Sequence, residues 1–407
     1  MNSADCIVYG LGYIGLPTSV YLSSKEISVY GVDINPKLVD DINSGNIETT
    51  EHGLREMLLL ALEKNTFKAG TDYLNSDIHI IVVPTPFKNN NEPDTSIVES
   101  VANKLSSIVK KGDLIILEST SPVGTTEKVS QIIYNKRKDL KNKLYFAYCP
   151  ERVLPGQIFQ ELKDNDRVIG GINQESSIKA KLFYEKFVDG ELHLTDCRTA
   201  EMCKLVENAS RDVQIAFANE LSIICNKADI NVWNLIDLAN KHPRVDILSP
   251  GCGVGGHCIA VDPYFIYSQF PLESKIIGQA REINNYKSFW CYEKIQEEIN
   301  NLKKVKKSKV SVGIFGLTFK PDIDDIRQSP ALDIAKKVFN TYGSDVLIVE
   351  PNLSQIDKFE LIDFKHAYNK CDIAVFLVNH SKFKELKIDL NSKKVLDFCG
   401  ILKKNNI

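Results

Sequence analysis

Cys6-Ile7-Val8-Tyr9-Gly10-Leu11-Gly12-Tyr13-Ile14-Gly15 is a short apolar run closing on three glycines in the spacing G-x-G-x-x-G. The run reads as a buried strand and the residues after Gly15 as a helix. Gly10 permits the tight turn, Gly12 lets backbone approach a pyrophosphate, and Gly15 lets helix and strand pack closely. Phosphate charge is then met by backbone N–H groups at the helix N-terminus. The pattern alone is weak evidence, but Ser28-Val29-Tyr30-Gly31-Val32-Asp33 follows as a second strand ending in an acid at the expected distance. Asp33 can accept from both ribose hydroxyls and would repel a 2′-phosphate. Ile34 and Asn35 come next, with no arginine to favour NADP, so the expected cofactor is NAD.

Working outward, Val- and Ile-rich runs alternate with helical stretches: Ile78 to Val83, Leu114 to Leu117 and Leu144 to Ala147. Such alternation predicts a parallel sheet with helices on both faces. The last hundred residues repeat the theme at Val310 to Phe315, Val346 to Val349, Ile373 to Val378 and Val395 to Phe398. Gly313-Ile314-Phe315-Gly316-Leu317 even echoes Ile7 to Gly12. From about Thr199 to Asn301 strand signals fade. Leu205, Ala209, Val213, Ala216, Phe217, Leu221 and Ile224 recur at helical spacing, and neither Pro nor Gly interrupts Ala200 to Asp229. The fold expected is α/β: two Rossmann-like doubly wound domains joined by a long central helix in an all-helical connector. The divisions expected are residues 1–198 for NAD, 199–301 for the connector and its dimer interface, and 308–407 for a nucleotide-linked substrate.

Composition narrows the function. A length of 407 residues points to two or three domains, and a net charge of −3 leaves no electrostatic footprint for nucleic acid. The basic run Lys303-Lys304 to Lys309 reads as a solvated linker. No signal core follows Met1 and no apolar run is long enough to span a bilayer, so a cytoplasmic protein with no membrane partner is expected. Ten scattered cysteines show no metal spacing and read as reduced thiols; no metal is expected.

The most unusual stretch is Ser249-Pro250-Gly251-Cys252-Gly253-Val254-Gly255-Gly256-His257-Cys258-Ile259-Ala260-Val261-Asp262-Pro263. Its glycines make a loop whose backbone can lie against a ligand. Cys258 ends it, where backbone N–H groups or a helix start could stabilise a thiolate. In a helix Asp262 would share its face. A buried, inert cysteine is the plainer reading of the same residues. Lys204, Asn208 and Arg211 form an i, i+4, i+7 polar stripe on the long helix, more typical of a helix facing a site or a second subunit than of a solvated surface. An NAD site, a thiol and a lysine suggest a mechanism. Lys204 manages the alcohol proton while hydride leaves, and Cys258 traps the aldehyde as a thiohemiacetal. A second oxidation gives a thioester, which water steered by Asp262 and Glu151 hydrolyses. The second half has lost the glycines: Thr318, Lys320 and Pro321 stand where the first has Gly12, Ile14 and Gly15. A nucleoside diphosphate held by Lys320 fits there better than a dinucleotide. Asp322 to Pro330 reads as a polar rim bearing Arg327.

On these landmarks, with Pro150-Glu151-Arg152, Glu201 to Asn208 and Phe319-Lys320-Pro321, the chain resembles the UDP-glucose/GDP-mannose dehydrogenase family from end to end. The resemblance implies four-electron oxidation of a UDP-sugar at C6, two NAD per sugar, and the roles given above for Cys258, Lys204 and Asp262. Gly256-His257-Cys258-Ile259-Ala260-Val261-Asp262 resembles the N-acetylhexosamine branch rather than the branch with Gly-Ser-Cys-Phe-Pro-Lys-Asp. Asn240 to Val245, Ala280 to Asn284 and Phe289-Trp290 resemble members acting on UDP-N-acetyl-D-mannosamine. By that likeness Glu151 and Asn208 join the catalytic set. Arg152, Val153, Lys204, Asn208, Arg211, His242, Arg244, Gly253, Phe319 and Lys320 contact substrate, His242 and Arg244 in a partner's site. Gly10, Gly12, Tyr13, Ile14, Gly15, Asp33, Thr85, Thr120, Thr126 and Arg327 contact NAD. A homodimer or higher homo-oligomer and a place in surface polysaccharide synthesis are implied in the same way. Cys252 departs from the family's usual proline and brings a second thiol near Cys258, which raises a reversible disulfide. Three other readings are a UDP-N-acetylglucosamine or UDP-glucose dehydrogenase, a two-electron hydroxy-acid dehydrogenase, and a nucleotide-sugar-binding non-enzyme.

Overall fold

The computed structural model describes residues 4–49, 51–88, 92–154, 156–306 and 309–402. Residues 1–3, and Lys307 and Ser308 of the basic run, lie outside them. The chain divides into two compact units, Met1–Val206 and Glu207–Ile407. The boundary falls inside a 32-residue helix, Cys197–Ala228.

The first unit holds strands β1 (Cys6–Tyr9), β2 (Val29–Val32), β3 (Phe67–Gly70), β4 (Ile78–Ile81), β5 (Leu114–Leu117), β6 (Tyr145–Tyr148), β7 (Arg167–Gly171) and β8 (Leu192–Asp196), in the order β3-β2-β1-β4-β5-β6-β7-β8. The first six are parallel, and the order reverses between β1 and β4, which opens a crevice at their carboxyl ends. Both faces are covered. Cys6 and Val8 pack into one apolar cluster, while Ile7 and Tyr9 pack into the other. That is why these strands read as continuous apolar runs.

The sheet is not wholly parallel as expected: β7 runs antiparallel to β6. Arg-Val-Ile-Gly-Gly gives a poor strand signal because its glycines serve close packing. A Cβ on Gly170 would lie 2.3 Å from the Asp196 carbonyl oxygen. Edge strands β3 and β8 also escaped the sequence reading, since an edge tolerates the polar residues that a central strand excludes.

In the second unit β9 (Val312–Phe315), β10 (Val346–Val349), β11 (Ile373–Phe376) and β12 (Lys394–Asp397) form a parallel sheet in the order β10-β9-β11-β12. The connector contains a second 32-residue helix, Lys275–Lys306, besides the expected one. Lys303, Lys304 and Lys306 form its last turn, where cations complement the helix dipole, rather than a linker. Within this unit the two long helices share a buried polar network. Arg281 donates to Asp212 at 2.6 Å, Asn284 donates to the same carboxylate at 2.7 Å, and Asn219 donates to Asn284 at 2.9 Å. The Asn219 side-chain Oδ1 then accepts the Gly251 N–H, anchoring the start of the glycine-rich loop. Among the described residues no helix is long and apolar enough to cross a membrane.

Candidate active site

The glycine turn after β1 behaves as its spacing predicts. Gly10 has φ +95°, and a Cβ there would meet the Val82 carbonyl oxygen at 2.6 Å. A Cβ on Gly15 would overlap the Gly10 carbonyl oxygen at 1.8 Å, whereas one on Gly12 would meet nothing within 4 Å. The Gly12 face is therefore open for a ligand to approach backbone. Ile14 caps the helix Gly15–Ser24 without a side-chain bond, and its first turn carries no acid. Its N–H groups suit an anion. Asp33 accepts from Leu11 N at 3.0 Å and Asn35 N at 2.9 Å, which fixes its carboxylate beside the turn. These residues fit an NAD dinucleotide. Thr85 and Thr120 stand beyond the ends of β4 and β5, the Thr85 hydroxyl donating to the Thr120 carbonyl at 2.6 Å. Thr126 is buried, and its hydroxyl and N–H both go to Glu201. With its one proton donated there, the hydroxyl meets a dinucleotide as an acceptor.

The same unit brings Glu151 and Lys204 together: Lys204 Nζ donates to the Glu151 carbonyl at 2.7 Å. The Glu151 carboxylate accepts from Arg152 N and Val153 N and pairs with Arg167 at 3.1 Å. The antiparallel β7 places Arg167 there, a partner that no motif pointed to. Arg167 is 3% exposed and lies over the Tyr184 ring at 5.3 Å. Tyr184 donates to Glu118, also buried, at the end of β5.

Burial pushes the Glu118 carboxyl up to about 7; Arg167 pulls it down, and Glu151 pushes it further up. One cation thus faces two carboxyl groups, and burial favours the protonated form of Glu118. Its folded pKa lies above the ordinary value of 4.5, so protonated Glu118 contributes stability that is full below about pH 4.5 and lost as pH rises through 7. Glu118→Gln, which cannot ionise, is expected to flatten that loss and to exceed wild type by about 3 kcal/mol at pH 8. Urea titrations of both proteins at pH 5 and 8 check this; a constant difference at both pH values would refute it.

In the second unit Cys258 is half-buried just ahead of the helix Asp262–Gln269. That helix starts at Asp262, so the expected helical spacing from Cys258 is supplied by a turn: Asp262 N donates to the Cys258 carbonyl at 2.8 Å. Asp262 is 2% exposed and accepts from Asn208 Nδ2 at 2.5 Å. Thiol, carboxylate and amide thus stand within one turn of chain and one side-chain contact.

The loop glycines also serve packing. A Cβ on Gly253 would meet Ser288 Oγ at 2.6 Å, one on Gly255 the Gln328 carbonyl at 2.5 Å, and one on Gly256 the Phe319 ring at 2.9 Å. They let the loop seat against the Phe319–Pro330 rim. Cys252 is buried in the core with its Sγ 3.6 Å from the Leu377 carbonyl, and burial raises its thiol pKa. All ten cysteines are free, and the raised pKa of the buried Cys252 thiol leaves little thiolate there for exchange with Cys258.

The turn after β9 repeats the first one with a plug in it. Gly316 has φ +97°, and Glu350 at the end of β10 accepts from Leu317 N at 2.7 Å and Asn352 N at 2.9 Å, as Asp33 does from Leu11 and Asn35. Here the buried His380 imidazole also lies 3.1 Å from the Glu350 carboxylate, where a ribose would otherwise be held. This is a second reason, besides the lost glycines, that the turn suits no dinucleotide. Lys320 is exposed and Phe319 half-buried on the rim, while Arg327 pairs with Asp325 at 2.5 Å. Arg211, His242 and Arg244 are exposed, the last two in the segment after the helix Val232–Ala239.

A dinucleotide turn, a helix-borne lysine, a half-buried thiol and a second turn closed to dinucleotides define an NAD-binding nucleotide-sugar dehydrogenase. The chain belongs to the UDP-glucose/GDP-mannose dehydrogenase family, matching its NAD binding domain over residues 4–188, its central domain over 198–286 and its UDP binding domain over 313–404. It is 47% identical to the UDP-N-acetyl-D-mannosamine dehydrogenase of Campylobacter jejuni, over 97% of this chain and 98% of the relative. Identity is 46% to the enzyme of that name from Escherichia coli K12, over 98% of this chain and all of the relative. The solved UDP-D-ManNAc dehydrogenase of Pyrococcus horikoshii superposes with a TM-score of 0.88 at 34% identity, covering 98% of this chain and 96% of that one.

Proposed function

We propose that the chain oxidises UDP-N-acetyl-D-mannosamine at C6 to UDP-N-acetyl-D-mannosaminuronate. The observation that carries the chemistry is the Asn208–Asp262 hydrogen bond beside Cys258. The near full-length identity to the mannosamine enzymes supports the sugar. Bound NAD supplies the hydride acceptor, two per sugar. Lys204, held on the Glu151 carbonyl, helps manage the C6 hydroxyl proton, which passes to water as the first hydride leaves. Cys258 Sγ adds to the aldehyde carbon to give a thiohemiacetal, which a second hydride loss converts to a thioester. Asp262, oriented by Asn208, steers water onto that carbonyl; the C–S bond breaks, releasing carboxylate and restoring the thiol. Glu151, paired with Arg167, assists the proton transfers. Arg152, Val153, Arg211, His242, Arg244, Gly253, Phe319 and Lys320 contact the UDP-sugar in this reading. Tyr13, Ile14, Asp33, Thr85, Thr120, Thr126 and Arg327 contact NAD. Residues 1–198, 199–301 and 308–407 serve cofactor, connection and UDP.

Incubating the protein with NAD and, separately, the UDP derivatives of N-acetylmannosamine, N-acetylglucosamine and glucose tests this. Two NADH per sugar with the mannosamine derivative alone is expected; turnover of another sugar instead would move the substrate.

The protein is proposed to work in the cytoplasm as at least a homodimer, built on the long helix Cys197–Ala228. Phe217 and Ile224, a heptad apart, are 52% and 54% exposed on it. Phe217→Glu is expected to shift the sedimentation profile from dimer to monomer. A wild-type monomer at micromolar concentration would sink the idea.

A further inference from the structure

The described residues after Glu151 have no regular secondary structure as far as the helix Ile158–Asp164, and carboxylates grip their backbone. Glu151 accepts from Arg152 N and Val153 N, and Glu161 accepts from Leu154 N at 2.6 Å. Glu51 accepts from Gly156 N and from Ile158 N at 3.3 Å. Glu151 and Glu161 are local to the segment. Glu51 lies more than a hundred positions away, and its Oε1 also accepts the Tyr13 hydroxyl at 2.8 Å. Glu51 is 5% exposed, whereas Tyr13 stands 40% exposed in the glycine turn. One buried carboxylate therefore joins the surface of the dinucleotide turn to the far end of the segment bearing Arg152 and Val153. Hydrogen bonds to a charged acceptor away from water are among the stronger ones, so ordering one donor is felt by the others.

We propose that Glu51 is a positioning residue for the reaction: it orders the 152–158 segment when the dinucleotide turn is occupied, so that cofactor binding prepares the substrate-contacting backbone. The proposal rests on NAD binding at that turn and on the substrate role of Arg152 and Val153. NAD against the turn restrains Tyr13, whose hydroxyl holds Glu51 in the rotamer that receives Gly156 and Ile158. Without the hydroxyl the carboxylate still caps the helix start but no longer reports on the cofactor.

The test is hydrogen exchange of the peptide spanning residues 152–160, with and without saturating NADH, in wild type, Tyr13→Phe and Glu51→Gln. NADH occupancy is checked by fluorescence. Expected is at least fivefold slowing by NADH in wild type and less than twofold in each variant. Equal slowing in all three, or none in wild type, overturns the proposal and leaves Glu51 a structural anchor. In Glu51→Gln the KM for the sugar is further expected to rise at least fivefold, and by more than kcat falls. Tyr13→Phe keeps the exchange test decisive should Glu51→Gln fold poorly. The exchange readout uses no sugar, so failure of the substrate assignment leaves its result intact.

Discussion

Cys258→Ser is expected to lower NADH production from the UDP-sugar on the order of 10⁴-fold while leaving stability unchanged. The two expectations separate because of what the residue holds. Its main-chain carbonyl accepts from Val261 N and Asp262 N, and both bonds survive the substitution. Its half-buried sulfur is the only atom exchanged. A hydroxyl is a far weaker nucleophile, and the oxygen ester it would form hydrolyses slowly, so the second oxidation and release are both blocked. Asp262→Asn attacks a later step. The thioester should then accumulate on Cys258 and appear as a mass increase of the intact protein after mixing with NAD and sugar. Unimpaired turnover in Cys258→Ser at one NADH per sugar would instead establish a two-electron dehydrogenase.

Arg281→Met carries the largest expected effect on stability, a loss of about 3–5 kcal/mol from the second unit. Asp212 is fully buried, and burial raises its carboxyl even with Arg281 beside it. Among the described residues, removing the guanidinium leaves that charge with only the Asn284 amide. The stranded carboxylate can escape by protonation, so the loss should be smaller at pH 5 than at pH 8. The same network holds the Gly251 N–H through Asn219, so activity should fall further than unfolding alone explains. Thermal melts at the two pH values decide the first point; an equal loss at both would show that Asp212 is not the group left unpaired.

The sequence by itself determined much of this protein, and the reasons are local. Buried parallel strands must be apolar on both faces, which made β1, β4, β5 and β11 legible as runs. A turn with φ near +95° and a Cβ-free approach admits only glycine, which made Gly10 and Gly15 legible. Chemistry needs particular side chains, so Cys258, Asp262 and Lys204 stood out by type.

Tertiary structure alone decided the rest, because it depends on partners far apart in the chain. The antiparallel strand β7, hidden by packing glycines, sets Arg167 against Glu151 and within electrostatic reach of Glu118. The loop glycines proved to seat one segment of protein on another. Glu51, an ordinary acid in sequence, meets its donors only across separations of 38 and 105 residues. A carboxylate's solvation and partners are set by the fold around it, and no spacing of residues along the chain records them.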